Sequence, residues 1–118
     1  MSFDLNRISV PFYIADVSTA GQVYVPVNTQ MEGEIVEIRT VLNGAIATAD
    51  AVLTPKIGGT AVTGGAITIA NASSAAGDVD SSTPSAANKV VAGDAIEIET
   101  NGASTNTVEV FGMITILR

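Results

Sequence analysis

Alternation of apolar and polar residues along the chain predicts a series of short β-strands. In Gln22–Asn28 three valines alternate with polar, aromatic or proline residues, and in Asp94–Thr100 isoleucine alternates with glutamate. A period of two places alternate side chains on opposite faces of a strand, so each segment is expected to have one buried and one wet face. The same pattern predicts six further strands, at Phe12–Val17, Gly33–Leu42, Ala51–Gly58, Thr60–Thr63, Ala66–Ala70 and Thr107–Leu117.

Turn-forming residues separate these predicted strands. Asn43-Gly44 and Asn101-Gly102 are strong turn signals, because asparagine and glycine tolerate positive φ. Asn71–Asn88 consists mainly of small polar residues and is expected to be a long exposed loop. No segment has the pattern of a helix between parallel strands. The predicted fold class is therefore all-β: a single-domain antiparallel β-sandwich, jelly-roll-like, with about eight strands.

Two of the predicted strands carry positional information. Proline cannot donate a ladder hydrogen bond, so the strand that contains Pro26 is expected at a sheet edge or at a bulge. The Gly33–Leu42 strand is long and half-buried in this interpretation, with Val36, Ile38 and Leu42 on its buried face.

Two apolar segments are candidates for contacts with other subunits. The end of Thr107–Leu117 is apolar on both faces, which predicts a central strand or a subunit contact. Residues 1–11 are either an N-terminal arm laid across a neighbouring subunit or an ordinary edge strand of the same domain. With an arm, the domain organisation is an arm over residues 1–11 and a sandwich over residues 12–118. The candidate interface residues are Phe3, Leu5, Ile8 and Val10 in the first segment and Phe111, Met113 and Leu117 in the second.

Composition narrows the range of functions. A chain of 118 residues is the length of one domain, and its net charge of −7 disfavours nucleic acid as a partner. Because Cys, His and Trp are all absent, thiolate nucleophiles, His-assisted catalysis and most transition-metal sites are excluded. Only 4% of the residues are aromatic, so the core gains little from rings, and association with other subunits would be a useful second source of burial.

Nothing in the sequence predicts a membrane or secretory role. The first residues lack a signal-peptide pattern, and no apolar stretch approaches the ~20 residues of a spanning helix. We therefore expect synthesis in a cytosol and no membrane partner.

Three groups of residues are candidates for chemical sites. Asp78–Ser82 begins like a calcium loop but lacks the glycine and the bidentate glutamate of an EF-hand. Glu32, Glu34 and Glu37 could in principle act as paired carboxylates, but the strand period places Glu34 and Glu37 on opposite faces. We therefore expect no catalytic residue, no cofactor and no metal. Two tyrosines, Tyr13 and Tyr24, could form a sugar-stacking surface.

Three stretches of the chain resemble small virion proteins of tailed bacteriophages in the character of their residues and in the order of their segments. They are Gln22–Asn28, the run EGEIVEIRTVLNGAIATADAVLTPKIGG (residues 32–59) and the run AITIANASSAAGDVDSSTPSAANKVVAGDAIEIETNGAST (residues 66–105). The family that they resemble is the capsid decoration, or cement, proteins. The resemblance implies a small β-sandwich or jelly-roll subunit that attaches, as a homodimer or homotrimer, to the outside of a shell of major capsid protein.

The resemblance also implies a mechanical function and no enzymatic activity. The subunit would bridge neighbouring major capsid protein subunits on the outer surface of the virion, after synthesis in the host cytoplasm. No functional residue is carried over by the resemblance. The alternatives are a carbohydrate-binding β-sandwich module or another phage head, tail or fibre component, and an enzyme that uses the three glutamates.

Overall fold

The alternating segments form ten β-strands in the computed structural model, which describes residues 6–27 and 32–118. No helix is present in these two ranges. The strands are β1 (Arg7–Ile14), β2 (Gly21–Pro26), β3 (Gly33–Leu42), β4 (Ala51–Ile57), β5 (Thr60–Ala61), β6 (Ile67–Ile69), β7 (Val79–Ser82), β8 (Lys89–Val90), β9 (Ala95–Thr100) and β10 (Val110–Leu117).

The strands form two antiparallel sheets that face each other. The first sheet has the order β1-β10-β3-β7, with β8 also paired to β3, and the second has the order β2-β9-β4-β5, with β6 also paired to β4. The pairs β5/β6 and β7/β8 each occupy one position at a sheet edge. The eight positions are thus ordered 1-8-3-6 and 2-7-4-5, which is the strand order of a jelly roll. The predicted all-β sandwich is confirmed.

Both long edge strands contain a proline at a position that suits an edge. Arg118 N donates a hydrogen bond to Asn6 O (2.7 Å), just outside the ends of β10 and β1. In an antiparallel pair every second residue bonds to the partner strand, so the residues of β1 that bond to β10 are those with even numbers. By alternation the backbone of Pro11 points away from β10. The bond from Val27 N to Asp94 O (3.0 Å) places Pro26 in the same way at the outer side of β2. The edge position predicted from Pro26 is confirmed, since a missing N–H there breaks no ladder bond.

A β-bulge in β3 changes the predicted buried face. The register against β10 shifts between Thr115 and Ile116, and Val36 is the extra residue in β3. Ile35 is therefore buried together with Ile38, whereas Val36 is only half-buried. The prediction that Val36 shares a buried face with Ile38 is wrong, because the bulge moves every side chain before it to the other face.

The core between the sheets is built mainly from valine, isoleucine and leucine. Phe12 is the one buried aromatic side chain in the described residues, and it lies opposite Gly112 of β10. Two buried polar side chains bond to the backbone: Thr100 Oγ1 donates to Val17 O (2.8 Å) and Asn88 Nδ2 donates to Ile35 O (2.8 Å). Ser104 Oγ is also buried but has no hydrogen-bond partner among the described residues.

The prediction that Asn71–Asn88 is a long exposed loop is wrong in part. This segment contains β7, which adds an edge strand to β3, and both Pro84 and Asn88 are buried. The sequence of β7, Val-Asp-Ser-Ser, has no alternation of apolar residues. Its pairing partner lies about 40 residues earlier in the chain, so the register Val41↔Val79 comes from tertiary pairing alone.

The first segment pairs within the domain as far as it is described. Residues 7–11 belong to β1 and pair with β10, so the boundary predicted at residue 11 falls inside a strand. Residues 7–11 thus pair as part of an edge strand, and the N-terminal arm over residues 1–11 stays a prediction. Residues 1–5, with Phe3 and Leu5, lie outside the described residues.

Candidate interaction surface

Four exposed apolar side chains form a straight row across the outer face of the first sheet. The register places Tyr13 of β1 opposite Phe111 of β10, Phe111 opposite Val41 of β3, and Val41 opposite Val79 of β7. Their exposed fractions are 46%, 48%, 40% and 53%, respectively. We call these four residues the apolar row. Directly paired residues on one face have Cβ atoms about 5 Å apart, so the row is continuous across all four strands.

The next line of residues extends this patch on one side. Pro11, Met113 and Arg39 follow in the same register, and Met113 is 40% exposed. Arg39 is bound to Glu37 at 3.4 Å, and both side chains are largely exposed. The apolar row is therefore bordered on this side by an ion pair in contact with water, which contributes little to stability.

A polar network borders the other side. The Tyr13 hydroxyl donates a hydrogen bond to Glu109, and Asn43 Nδ2 donates to the same carboxylate at 3.1 Å. The rings of Tyr13 and Phe111 are 5.2 Å apart and tilted by 44°, a favourable aromatic pair. The hydrogen bond with Glu109, with smaller contributions from burial and from the negative charge, raises the pKa of Tyr13 above 10.0.

The outer face of the second sheet is chemically different. Its central strands present Glu97 and Glu99 from β9 and Lys56 from β4, and Lys56 Nζ binds Glu99 at 3.1 Å. A face of charged residues is the ordinary solvated side of an antiparallel sheet. The exposed rings and valines of the first sheet are contiguous, whereas on the second sheet Tyr24 is the one large aromatic side chain exposed among the described residues.

The seven candidate interface residues occupy different environments. Phe111 and Met113 lie in the exposed patch, while Leu117 is half-buried at the far end of β10. Ile8 is half-buried against the core, and Val10 is itself a core residue. Val10 therefore has its side chain committed within the domain. Phe3 and Leu5 lie outside the described residues.

Within the apolar row, the sequence analysis predicts only Phe111 as an interface residue. It considers Tyr13 only as part of a sugar-stacking surface, and it does not identify Val41 or Val79. In the sequence, Val41 continues the strand face that begins with polar Arg39, and Val79 lies in a stretch that was predicted to be a loop. A signal for Val41 was present, because a valine among charged residues on a wet strand face departs from the alternation. No local signal identifies Val79.

A groove lies at the open side of the sandwich, where the edge strands β1 and β2 meet. Pro11, Tyr13 and Phe111 line it from the first sheet, and Tyr24 and Pro26 line it from the second. Its volume is about 410 Å³, and Tyr24 is 61% exposed. We call it the tyrosine groove. The two tyrosines that were weighed as a sugar-stacking surface thus line one cleft.

The glutamates do not have the arrangement that the sequence suggested. Because of the bulge at Val36, Glu34 and Glu37 both point outward, so the prediction of opposite faces is wrong. Glu34 pairs in register with Lys89, and Glu37 binds Arg39. Glu32 and Glu34 line an open depression of about 500 Å³ together with Lys89, and Glu37 lies on the outer surface of the first sheet.

Asp78 and Asp80, the aspartates of the candidate calcium loop, have structural positions in and just before β7. Asp78 Oδ2 accepts a hydrogen bond from Ala75 N (2.9 Å), and Asp80 is part of β7. Partial burial, together with the neighbouring charge of Asp78, raises the pKa of Asp80 above 3.8. Within residues 6–27 and 32–118, no cluster of three or more acidic side chains is placed to hold a metal ion.

One aspartate orders the turn after β1. Asp16 accepts hydrogen bonds from Ser18 Oγ (2.6 Å) and Ser18 N (2.9 Å) through one oxygen, and from Thr19 Oγ1 (2.8 Å) through the other. The Ser18 and Thr19 hydroxyls, followed by the Ser18 amide, lower the pKa of Asp16 below 3.8. This local arrangement is an Asx-type turn and has a structural role.

Comparison with known proteins supports the fold. No protein-family model and no curated protein matches the sequence. A chain of the acidic stable capsid of Helicobacter pylori bacteriophage KHP30 is similar in structure, with a TM-score of 0.60 at 13% identity over 95% of this chain and 87% of that chain. A chain from Bacillus endospore appendages, a family of disulfide-linked pili, has a TM-score of 0.44 at 19% identity over 99% and 96%. The likeness to the capsid chain shows a shared fold.

In the described ranges no helix is long and apolar enough to cross a membrane.

Proposed function

We propose that this chain is a virion structural protein that decorates a bacteriophage capsid and stabilises it by bridging major capsid protein subunits. The observation that carries the proposal is the apolar row, four exposed side chains aligned across the outer face of one sheet. The likeness of the fold to a chain in a phage capsid supports the same function. An exposed, contiguous apolar surface suits adhesion to a partner protein.

The size of the surface favours binding to a repeated partner. Four strands spaced about 4.8 Å apart make a face roughly 19 Å wide, and an eight-residue strand is about 27 Å long. This face of about 500 Å² lies below the ~800 Å² that each partner buries in a standard interface. A single contact would therefore be weak, but many identical contacts on a shell would give strong attachment by avidity.

Residues 1–5 are proposed as a second contact. They contain Phe3 and Leu5 and precede the edge strand β1, whose Pro11 and neighbouring residues are already paired within the domain. Replacing both side chains by serine is expected to weaken attachment to the capsid. A truncation beyond residue 5 would be uninformative, because it would remove part of β1 and the core residue Val10.

The proposal is tested with capsids of the encoding phage that have been assembled without this protein. The double variant V41T/V79T removes two methyl groups from the apolar row but keeps β-branched side chains that suit strands. The matched control is Val52→Thr, on the outer face of the second sheet. Sedimentation of protein with capsids should show at least tenfold weaker binding for V41T/V79T and near-native binding for V52T. Equal binding by all three proteins would refute the role of the row.

A mechanical role also predicts a change in the particle. Saturating native protein should raise the temperature at which the capsids break down, and V41T/V79T at the same concentration should raise it less. Binding without any gain in capsid stability would leave an attached protein that does not bridge subunits, and would contradict the cement function.

A further inference from the structure

The tyrosine groove is a site of different character from the apolar row. It lies between two sheet edges, and side chains of both sheets line it, including Pro11 and Pro26 on opposite sides. Buried Phe12 and Val25 form part of its floor. Tyr24 contributes to the groove but has no place in the row. The two surfaces can therefore be tested separately.

The edges beside the groove are poorly suited to the addition of a further β-strand. Pro11 and Pro26 occupy positions whose backbone points outward from β1 and β2, and neither can donate a hydrogen bond there. Prolines at such positions are a common means of blocking edge pairing. The two prolines interrupt a ladder along these edges, which leaves the side chains as the main means of recognition in this groove.

The side chains available are rings bordered by negative charge. Glu109 binds the Tyr13 hydroxyl at one side, and Glu97 lies directly opposite Tyr24 in the β2–β9 pair. Lys56 stands opposite Glu97 in the β4–β9 pair, but its Nζ binds Glu99 at 3.1 Å. Glu97 and Glu109 lie beside the groove and do not line it. None of the residues that line the groove is basic.

We propose that the tyrosine groove binds a basic, proline-rich segment of a partner protein in the polyproline II conformation. Aromatic grooves recognise such segments because the pyrrolidine rings pack on the faces of the tyrosines and the extended conformation is already formed before binding. Arginines spaced along the segment complement Glu97 and Glu109, and the net charge of −7 favours their approach. This inference does not depend on the capsid role.

The test uses the full chain, ¹⁵N-labelled, and a synthetic peptide of sequence RPPPRPPPR. Saturable shifts of amide resonances in β1 and β2 are expected. Tyr24→Ala should weaken binding at least tenfold, and Tyr24→Phe should restore most of it because the ring is retained. The double variant E97Q/E109Q should weaken binding several-fold and reduce its dependence on salt.

Control peptides separate this recognition from general attraction. EPPPEPPPE should bind much more weakly than RPPPRPPPR because the charges repel, and RGGGRGGGR should do so because the proline rings are missing. Equal binding of either control would overturn the proposal, as would shifts confined to other strands or the absence of saturation. Binding of glycans, but not of the peptide, that is lost in Tyr24→Ala would also overturn it and would assign the groove to carbohydrate.

The row and the groove are distinguished by variants that affect one of them. V41T/V79T should keep native affinity for the peptide, since neither valine lines the groove. Conversely, Tyr24→Ala should keep capsid binding through the row. Loss of peptide binding in V41T/V79T would overturn the assignment of the peptide site to the groove.

Discussion

Replacing Gly112 by alanine tests the closest packing contact in the core. Gly112 of β10 lies opposite Phe12 of β1, and both face the interior. A Cβ atom built on Gly112 would lie 2.0 Å from Phe12 Cζ and 2.2 Å from Cε1. Carbon atoms in contact are normally about 3.5 Å apart, so the ring would have to move by roughly 1.5 Å. The glycine is needed here for space, because its φ is not positive.

The expected cost follows from overpacking. Inserting a methyl group into a packed core costs about 1–3 kcal/mol, and the lower entropy of the unfolded alanine chain offsets roughly 0.5 kcal/mol of it. We expect Gly112→Ala to lower the free energy of unfolding by about 0.5–2.5 kcal/mol. At about 4 °C per kcal/mol for a domain of this size, the Tm should fall by roughly 2–10 °C.

A double-mutant cycle with Phe12 identifies the cause. Phe12→Leu removes the ring that occupies the space above Gly112, so Gly112→Ala should be nearly neutral in that background. Urea unfolding of the four proteins, followed by circular dichroism, measures the free energies. Gly44→Ala is the matched control, because its Cβ would meet Val108 at an ordinary 3.5 Å. Equal destabilisation by Gly112→Ala in both backgrounds, within ~0.5 kcal/mol, would refute the reasoning.

Three further predictions concern titrating groups. In Tyr24→Phe the chain retains one tyrosine, Tyr13, and its ionisation can be followed by the phenolate absorbance at 295 nm. The midpoint should lie above 10.0 and should fall towards 10.0 when Glu109→Gln is added; an unchanged midpoint would contradict the hydrogen bond. Because the native pKa of Asp16 is lowered, the stabilisation by its ionised form is present above pH 3.8 and is lost as the pH falls through the native pKa. Asp16→Ala should therefore reduce the urea midpoint at pH 7 and should have a diminishing effect below pH 3.8. Because the native pKa of Asp80 is raised, its ionised form destabilises the fold above that pKa. Asp80→Asn should therefore increase the Tm at pH 7, and this gain should fade as the pH falls to 3.8. A gain in Tm that is independent of pH would argue against ionisation as the cause.

Local patterns were sufficient where a strand contains its own alternation. The edge position of β2 followed from Pro26, and the buried face of Ala95–Thr100 followed from its isoleucines. Local reasoning failed at Val36 because a bulge is set by pairing with β10. It also failed at β7, where three of the four residues, Asp80, Ser81 and Ser82, have little strand propensity and the strand is held by β3.

The sequence by itself determined the all-β class and the wet and buried faces of most strands. Alternation and turn chemistry are local properties, so they can be recognised without knowing which strands pair. Only the tertiary structure decided that Tyr13, Phe111, Val41 and Val79 stand in one row, and that Tyr24 shares a groove with the first of them. Both arrangements depend on register between strands far apart in the chain, and that register is fixed by packing across the whole sandwich.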